Sequence, residues 1–70
     1  MQKIIIDNLL KSINDKDLKS YIENKDKLLT LKNKDLKQCL IYLNQLDNDN
    51  KIRFIDYLYI FDMINNKINE

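Results

Sequence analysis

Residues 6–14, Ile6-Asp7-Asn8-Leu9-Leu10-Lys11-Ser12-Ile13-Asn14, and residues 36–44, Leu36-Lys37-Gln38-Cys39-Leu40-Ile41-Tyr42-Leu43-Asn44, carry one pattern thirty positions apart. Ile6, Leu9, Leu10 and Ile13 fall on Leu36, Cys39, Leu40 and Leu43, an apolar match along a face spaced i, i+3, i+4, i+7, which is the period of an amphipathic helix. The correspondence continues, with Asn14 on Asn44, Asp17 on Asp47, Ile22 on Ile52 and Asp26 on Asp56. Each unit therefore reads as a helix, an acidic turn, one isoleucine, and a carboxylate opening a second helix. One such unit cannot bury its own apolar face, whereas two facing each other share a core. The expectation is an all-α fold in one domain over residues 1–70, with unit one at about 2–31 and unit two at about 33–68.

The chain holds no Gly and no Pro, so Asn and Asp must mark the helix ends. A first helix is expected over roughly 2–14, breaking at Asn14-Asp15-Lys16-Asp17, and a short second helix over about 24–31. Asn33 is the expected N-cap of a third helix with the face Leu36, Cys39, Leu40 and Leu43, ending before Asp47-Asn48-Asp49-Asn50. A fourth is expected over about 54–68. Strand character is confined to Tyr21-Ile22 and Lys51-Ile52, stretches too brief for a sheet unless they pair with each other.

Composition narrows the function. Seventy residues give one thin core, of marginal stability without a staple or a partner. Histidine is absent, which removes the commonest general base and transition-metal ligand and points away from an enzyme. Twelve Lys and Arg against eleven Asp and Glu are interleaved, so no basic face for nucleic acid forms. Lysines 16, 19, 25, 27, 32, 34 and 37 are broken up by Asp17, Glu23, Asp26 and Asp35 and read as a solvated face. The N-terminal isoleucines turn polar at Asp7, far short of a signal-peptide core or a membrane span. Cys39 has no second cysteine to pair with and shares the apolar face of its helix, so a buried structural thiol in a reducing, cytoplasmic setting is expected.

The stretches Asp15-Lys16-Asp17-Leu18-Lys19-Ser20-Tyr21-Ile22-Glu23-Asn24-Lys25-Asp26 and Asp47-Asn48-Asp49-Asn50-Lys51-Ile52-Arg53-Phe54-Ile55-Asp56-Tyr57-Leu58 resemble EF-hand loops of the calmodulin family. The second is similar to the noncanonical loops of myosin light chains, with Ile52, Phe54, Asp56 and Tyr57 in the corresponding places. Nearly the whole chain is covered, and a pair of hands in this length resembles the single-lobe light chains of class I myosins. The resemblance implies one EF-hand pair lobe of four helices, its two loops joined by a very short antiparallel β pairing.

A calcium loop of about 12 residues needs oxygen ligands at positions 1, 3 and 5, Gly at 6 and a bidentate Glu at 12. Numbered from Asp15, the first loop offers Asp15 and Asp17 but places Lys19 at a ligand position and ends on the shorter Asp26. The second, numbered from Gln45, offers Asp47, Asp49 and Asp56, with Asn50 where Gly belongs. Both loops are degenerate, so no cofactor and no metal site are expected, with weak cation binding at most in the second loop.

The light-chain resemblance implies a calcium-independent grip on an amphipathic basic helix, the IQ motif of an unconventional (class I) myosin heavy chain, which stiffens that neck. The groove expected to line it comprises Leu9, Leu10, Ile13, Leu28, Leu31, Leu40, Leu43, Phe54, Tyr57, Leu58 and Phe61, in a chain that is a monomer when free and a heterodimer with its target. The fourth helix carries two apolar faces: Tyr57, Ile60, Phe61 and Ile64 on one side, and Ile55, Tyr59 and Met63 on the other. A surface helix needs one, so the second stripe calls for a covering partner. The rival readings are a small calcium sensor, a helix-turn-helix DNA binder, and a generic helical interaction module or homodimer using the Ile55, Tyr59, Met63 stripe.

Overall fold

Two kinds of local chemistry set the helix boundaries. The computed structural model describes residues 2–70, with side chains from Lys3 onward. It contains α1 (Gln2–Asn14), α2 (Leu18–Leu29), α3 (Asn33–Asn48) and α4 (Phe54–Ile68) and, among the described residues, no strand. At the end of α1, Lys16 takes a left-handed backbone with φ 56°. Its amide donates to the Ile13 carbonyl at 3.2 Å, and the amide of Asp17 donates to the Ser12 carbonyl at 2.9 Å. The end of α3 repeats this at Asn50, also φ 56°, with its amide on Asp47 at 3.1 Å and that of Lys51 on Leu46 at 2.9 Å. Both are Schellman stops, in which the reversed backbone satisfies the orphan carbonyls of the last helical turn.

The second kind of boundary is an N-cap. Asp17 is extended (φ −91°, ψ 91°) and its carboxylate accepts from the Ser20 amide at 3.2 Å, which starts α2. Lys32 and Arg53 stand at the N-caps of α3 and α4 without a side-chain cap bond. Asn33, the expected cap, is instead the first residue of α3.

The core is Ile6 and Leu9 of α1, Leu28 of α2, Leu36, Cys39 and Leu43 of α3, and Ile60 and Ile64 of α4, all fully buried. Each buried Leu or Ile stabilises the fold by about 1.5–3 kcal/mol. The pairings α1–α2, α3–α4 and α1–α3 are extensive, while α2–α4 is thin, so the helices close a ring with one weak seam. A Cα radius of gyration of 11.1 Å is what one packed unit of this length gives, about 11 Å. The two buried polar side chains are satisfied locally: Ser12 Oγ donates to the Leu9 carbonyl at 2.7 Å, and Asn24 Nδ2 to the Ser20 carbonyl at 2.8 Å. Among the described residues, no helix is long and apolar enough to cross a membrane.

The thirty-residue repeat holds in the packing and fails in the turns. Ile6 and Leu36 are both fully buried, as are Leu9 and Cys39, and Leu10 and Leu40 are both half-buried. The two left-handed residues, however, are thirty-four positions apart. The reason is helix length: α1 has 13 residues and α3 has 16, because Leu46 extends the apolar face of α3 by about a turn and packs against the core. Asp17 therefore caps a helix while Asp47, its sequence counterpart, lies inside one.

Three expectations are corrected here. The second helix begins at Leu18 rather than near 24, because the Asp17 cap and the absence of any Gly or Pro let it run through Tyr21-Ile22. The very short β pairing therefore does not form: Tyr21 and Ile22 are helical, and Ile52 sits in an irregular link. Helical neighbours outweighed their intrinsic strand preference. The twelve-residue stretch from Asp15 to Asp26 is a turn over residues 15–17 followed by nine residues of α2, and the stretch from Gln45 to Asp56 joins the end of α3, a link over 49–53 and the start of α4.

Candidate functional site

Cys39 is fully buried, and burial, followed by the nearby Asp35 carboxylate, pushes its thiol up to about 11, so it stays protonated and shielded. Tyr42 donates to Asp7 across α1 and α3, with Lys3 Nζ 5.5 Å from its ring centroid. That hydrogen bond, followed by burial, raises Tyr42 to about 12. Tyr21 and Tyr59 share a hydrogen bond across the α2–α4 seam, and Tyr21 is raised mainly by burial and then by that contact. These are neutral phenols tying helices together. Among the described residues, no three His, Cys, Asp or Glu side chains converge to hold a metal ion. A polar cleft of about 350 Å³ between α1 and α2 brings Lys11 and Lys27 together with Asp15, Asp17 and Glu23, a mixture of both signs, and among the described residues no unsatisfied buried atom is there to select a ligand.

The apolar surface is more distinctive, and α4 supplies most of it. Its wheel places Ile60 and Ile64 toward the core, with apolar residues on both flanks. On the α3 side, Phe54, Tyr57 and Phe61 form an aromatic ladder, with ring centroids 6.2 and 5.7 Å apart. Tyr57 Oη donates to Asn44 Oδ1 of α3 at 2.6 Å, which fixes the middle rung. Phe54 is 64% exposed and Leu58 38%. On the α2 side, Ile55 is 67% exposed and Tyr59 49%, with Met63 half-buried behind them. The ion pairs near this helix are local: Arg53 Nε to Asp56 Oδ2 at 2.8 Å, and Lys67 Nζ to Glu70 Oε2 at 2.9 Å. Such exposed pairs contribute little to stability.

The expected groove residues divide into separate groups. Leu9, Leu28 and Leu43 are fully buried in the protein's own core. Phe54, Tyr57, Leu58 and Phe61 come together on α4. Leu10 lines a cleft of about 190 Å³ with Ile52, Arg53 and Asp56, and Ile13 lines another of about 210 Å³ with Leu18 and Tyr21. Leu31 and Leu40 are half-buried against the core. Sequence reading missed Leu18, 69% exposed, and Ile22, 48% exposed, because it treated the start of α2 as a loop. The Asp17 cap three residues before Ser20, with Leu18, Tyr21 and Ile22 at helical spacing, was the signal that would have found them.

No protein-family model, curated protein or solved structure matches the chain.

Proposed function

We propose that the chain is a non-catalytic protein-interaction module that receives the apolar face of a partner helix on the α3-side flank of α4. The observation that carries this reading is the ladder Phe54, Tyr57, Phe61 with Leu58 beside it, in which Phe54 and Leu58 are exposed, Tyr57 and Phe61 are half-buried, and the Tyr57–Asn44 hydrogen bond holds the middle rung. Pre-ordered aromatic surface binds at low entropic cost, and aromatic anchors dominate the energetics of helix-in-groove recognition.

The narrower form of the proposal rests on the resemblance of the two acidic segments. It reads the module as an EF-hand-derived, light-chain-like lobe in the cytoplasm that grips an IQ-like basic helix of a class I myosin heavy chain and stiffens its neck. The turn over residues 15–17 is too short to cage a cation, which favours the calcium-independent form over a sensor. Full use of the expected groove also requires Leu9, Leu28 and Leu43 to leave the core, so the accessible ladder is the primary contact.

The test is calorimetric titration of an IQ-like basic amphipathic peptide into the protein, with calcium and again with chelator, against Leu58→Asp. The expected result is equal affinity in both buffers and at least about tenfold weaker binding by Leu58→Asp, since a carboxylate buried against apolar surface is costly. Absence of binding removes the myosin form, and unchanged affinity in Leu58→Asp removes the ladder as the contact. Binding only with calcium selects the sensor.

A further inference from the structure

The second apolar flank of α4 has a counterpart on α2. Leu18, Tyr21, Ile22 and Lys25 share one arc of the α2 wheel, and Ile55, Tyr59 and Met63 share one arc of α4. The Tyr21–Tyr59 hydrogen bond, with ring centroids 6.5 Å apart, joins these arcs across the thin α2–α4 seam. Asn14, at the end of α1 and just before the turn into α2, lines one cleft with Arg53 and Asp56 at the start of α4, so α2 and α4 both start at that end of the fold and run in the same general sense. From the tyrosine bridge, Leu18 on α2 and Ile55 on α4 lie about one turn back, while Lys25 and Asp62 lie about one turn forward. Neither Lys25 nor Asp62 has an ion-pair partner among the described residues.

We propose that a second copy of this chain covers the seam, with a two-fold axis running along it. That operation sets each α2 over the α4 of the other copy at equal height, so Leu18 meets Ile55, Ile22 meets Tyr59, and Lys25 meets Asp62 of the opposite copy. The surface carries one charge of each sign at matching heights, so it is complementary to itself and needs no partner of opposite net charge. Leu18, Ile22, Ile55 and Tyr59 leave on the order of 400 Å² uncovered per copy, the size of the largest apolar patch on an ordinary monomer and about half of one side of a standard interface. The dimer is therefore weak, and the free chain exchanges between monomer and dimer. Its apolar contacts lie on the flank opposite the ladder, with Asp62 on the ridge between the two flanks.

Sedimentation velocity of the full chain over roughly 5–500 μM tests this, since micromolar self-association falls in that window. The expected mass climbs from 8.5 kDa toward twice that value. Lys25→Glu and Asp62→Lys each weaken association by about tenfold or more, because every substitution acts twice in a two-fold dimer, while the doubly swapped variant recovers it. A dilution series of the unmodified protein by methyl and amide NMR should move Leu18, Ile22 and Ile55. A constant 8.5 kDa overturns the proposal, as does a double swap no tighter than the single variants, or dilution shifts confined to Phe54 and Leu58.

Discussion

Replacing Lys16 with glycine should make the protein more stable although it removes a side chain and adds no contact. Lys16 sits at φ 56°, where the Cβ of an L-residue crowds the following carbonyl at a cost of about 1–2 kcal/mol. Glycine escapes that cost but loses more backbone freedom on folding, worth about 0.5–1 kcal/mol. The difference leaves Lys16→Gly more stable by about 0–1.5 kcal/mol, centred on ~0.75 kcal/mol, in line with the loss seen when a residue bearing a Cβ replaces glycine at positive φ. In a domain of this size the central value raises the midpoint of thermal unfolding by about 3–6 °C, read by circular dichroism. Asn50, at the same φ, tolerates the left-handed region better, so Asn50→Gly should gain only a few tenths of a kcal/mol. Lys16→Val should lose stability, since branching at Cβ is least compatible with this backbone. A lower midpoint for Lys16→Gly would refute the Schellman stop at α1 and with it the short turn that starts α2 at Leu18.

Leu43→Ala should cost about 2–5 kcal/mol in urea unfolding, a large part of the ~3–10 kcal/mol available to a chain this short, and a loss below about 1 kcal/mol would mean that Leu43 is not a core residue. Alkaline titration should destabilise the fold. Tyr42 and Tyr21 are raised in the folded state above their ordinary value of 10.0, so their contribution is complete below that pH and is lost as pH climbs toward and past about 12. Cys39 adds a loss from pH 9.0 to about 11, and a urea midpoint flat across this range would contradict the contacts that cause the shifts. In native buffer Cys39 should react with a thiol reagent only as fast as the fold opens, so labelling at the rate of the unfolded chain would show that its burial is wrong.

The parts of the fold written in side-chain period were legible in the sequence. The faces of α1 and α3 follow from Ile6, Leu9, Leu36, Cys39 and Leu43, all of which are buried, and α4 starts and ends where its apolar run predicts. The start of α2 was hidden because Tyr21 and Ile22 favour strands in isolation, whereas the Asp17 cap and burial of Leu28 decide the matter in the folded chain. Matching Asp17 to Asp47 also obscured the turns, since α3 runs about one turn longer and places the true equivalents at Lys16 and Asn50. On the surface, the exposed stripe Ile55 and Tyr59 was visible from the wheel. Its continuation onto Leu18 and Ile22 depends on the α2–α4 contact through Tyr21, which no single-helix pattern contains.

The claim that α4 is a docking surface is tested most directly by the footprint of an IQ-like peptide in methyl and amide NMR of the full chain. The account predicts shifts concentrated on Phe54, Tyr57, Leu58 and Phe61, with the core methyls of Leu9 and Ile60 little changed and the same footprint with calcium or chelator. A peptide that binds with shifts centred on the α1–α2 turn, and none along α4, would contradict it.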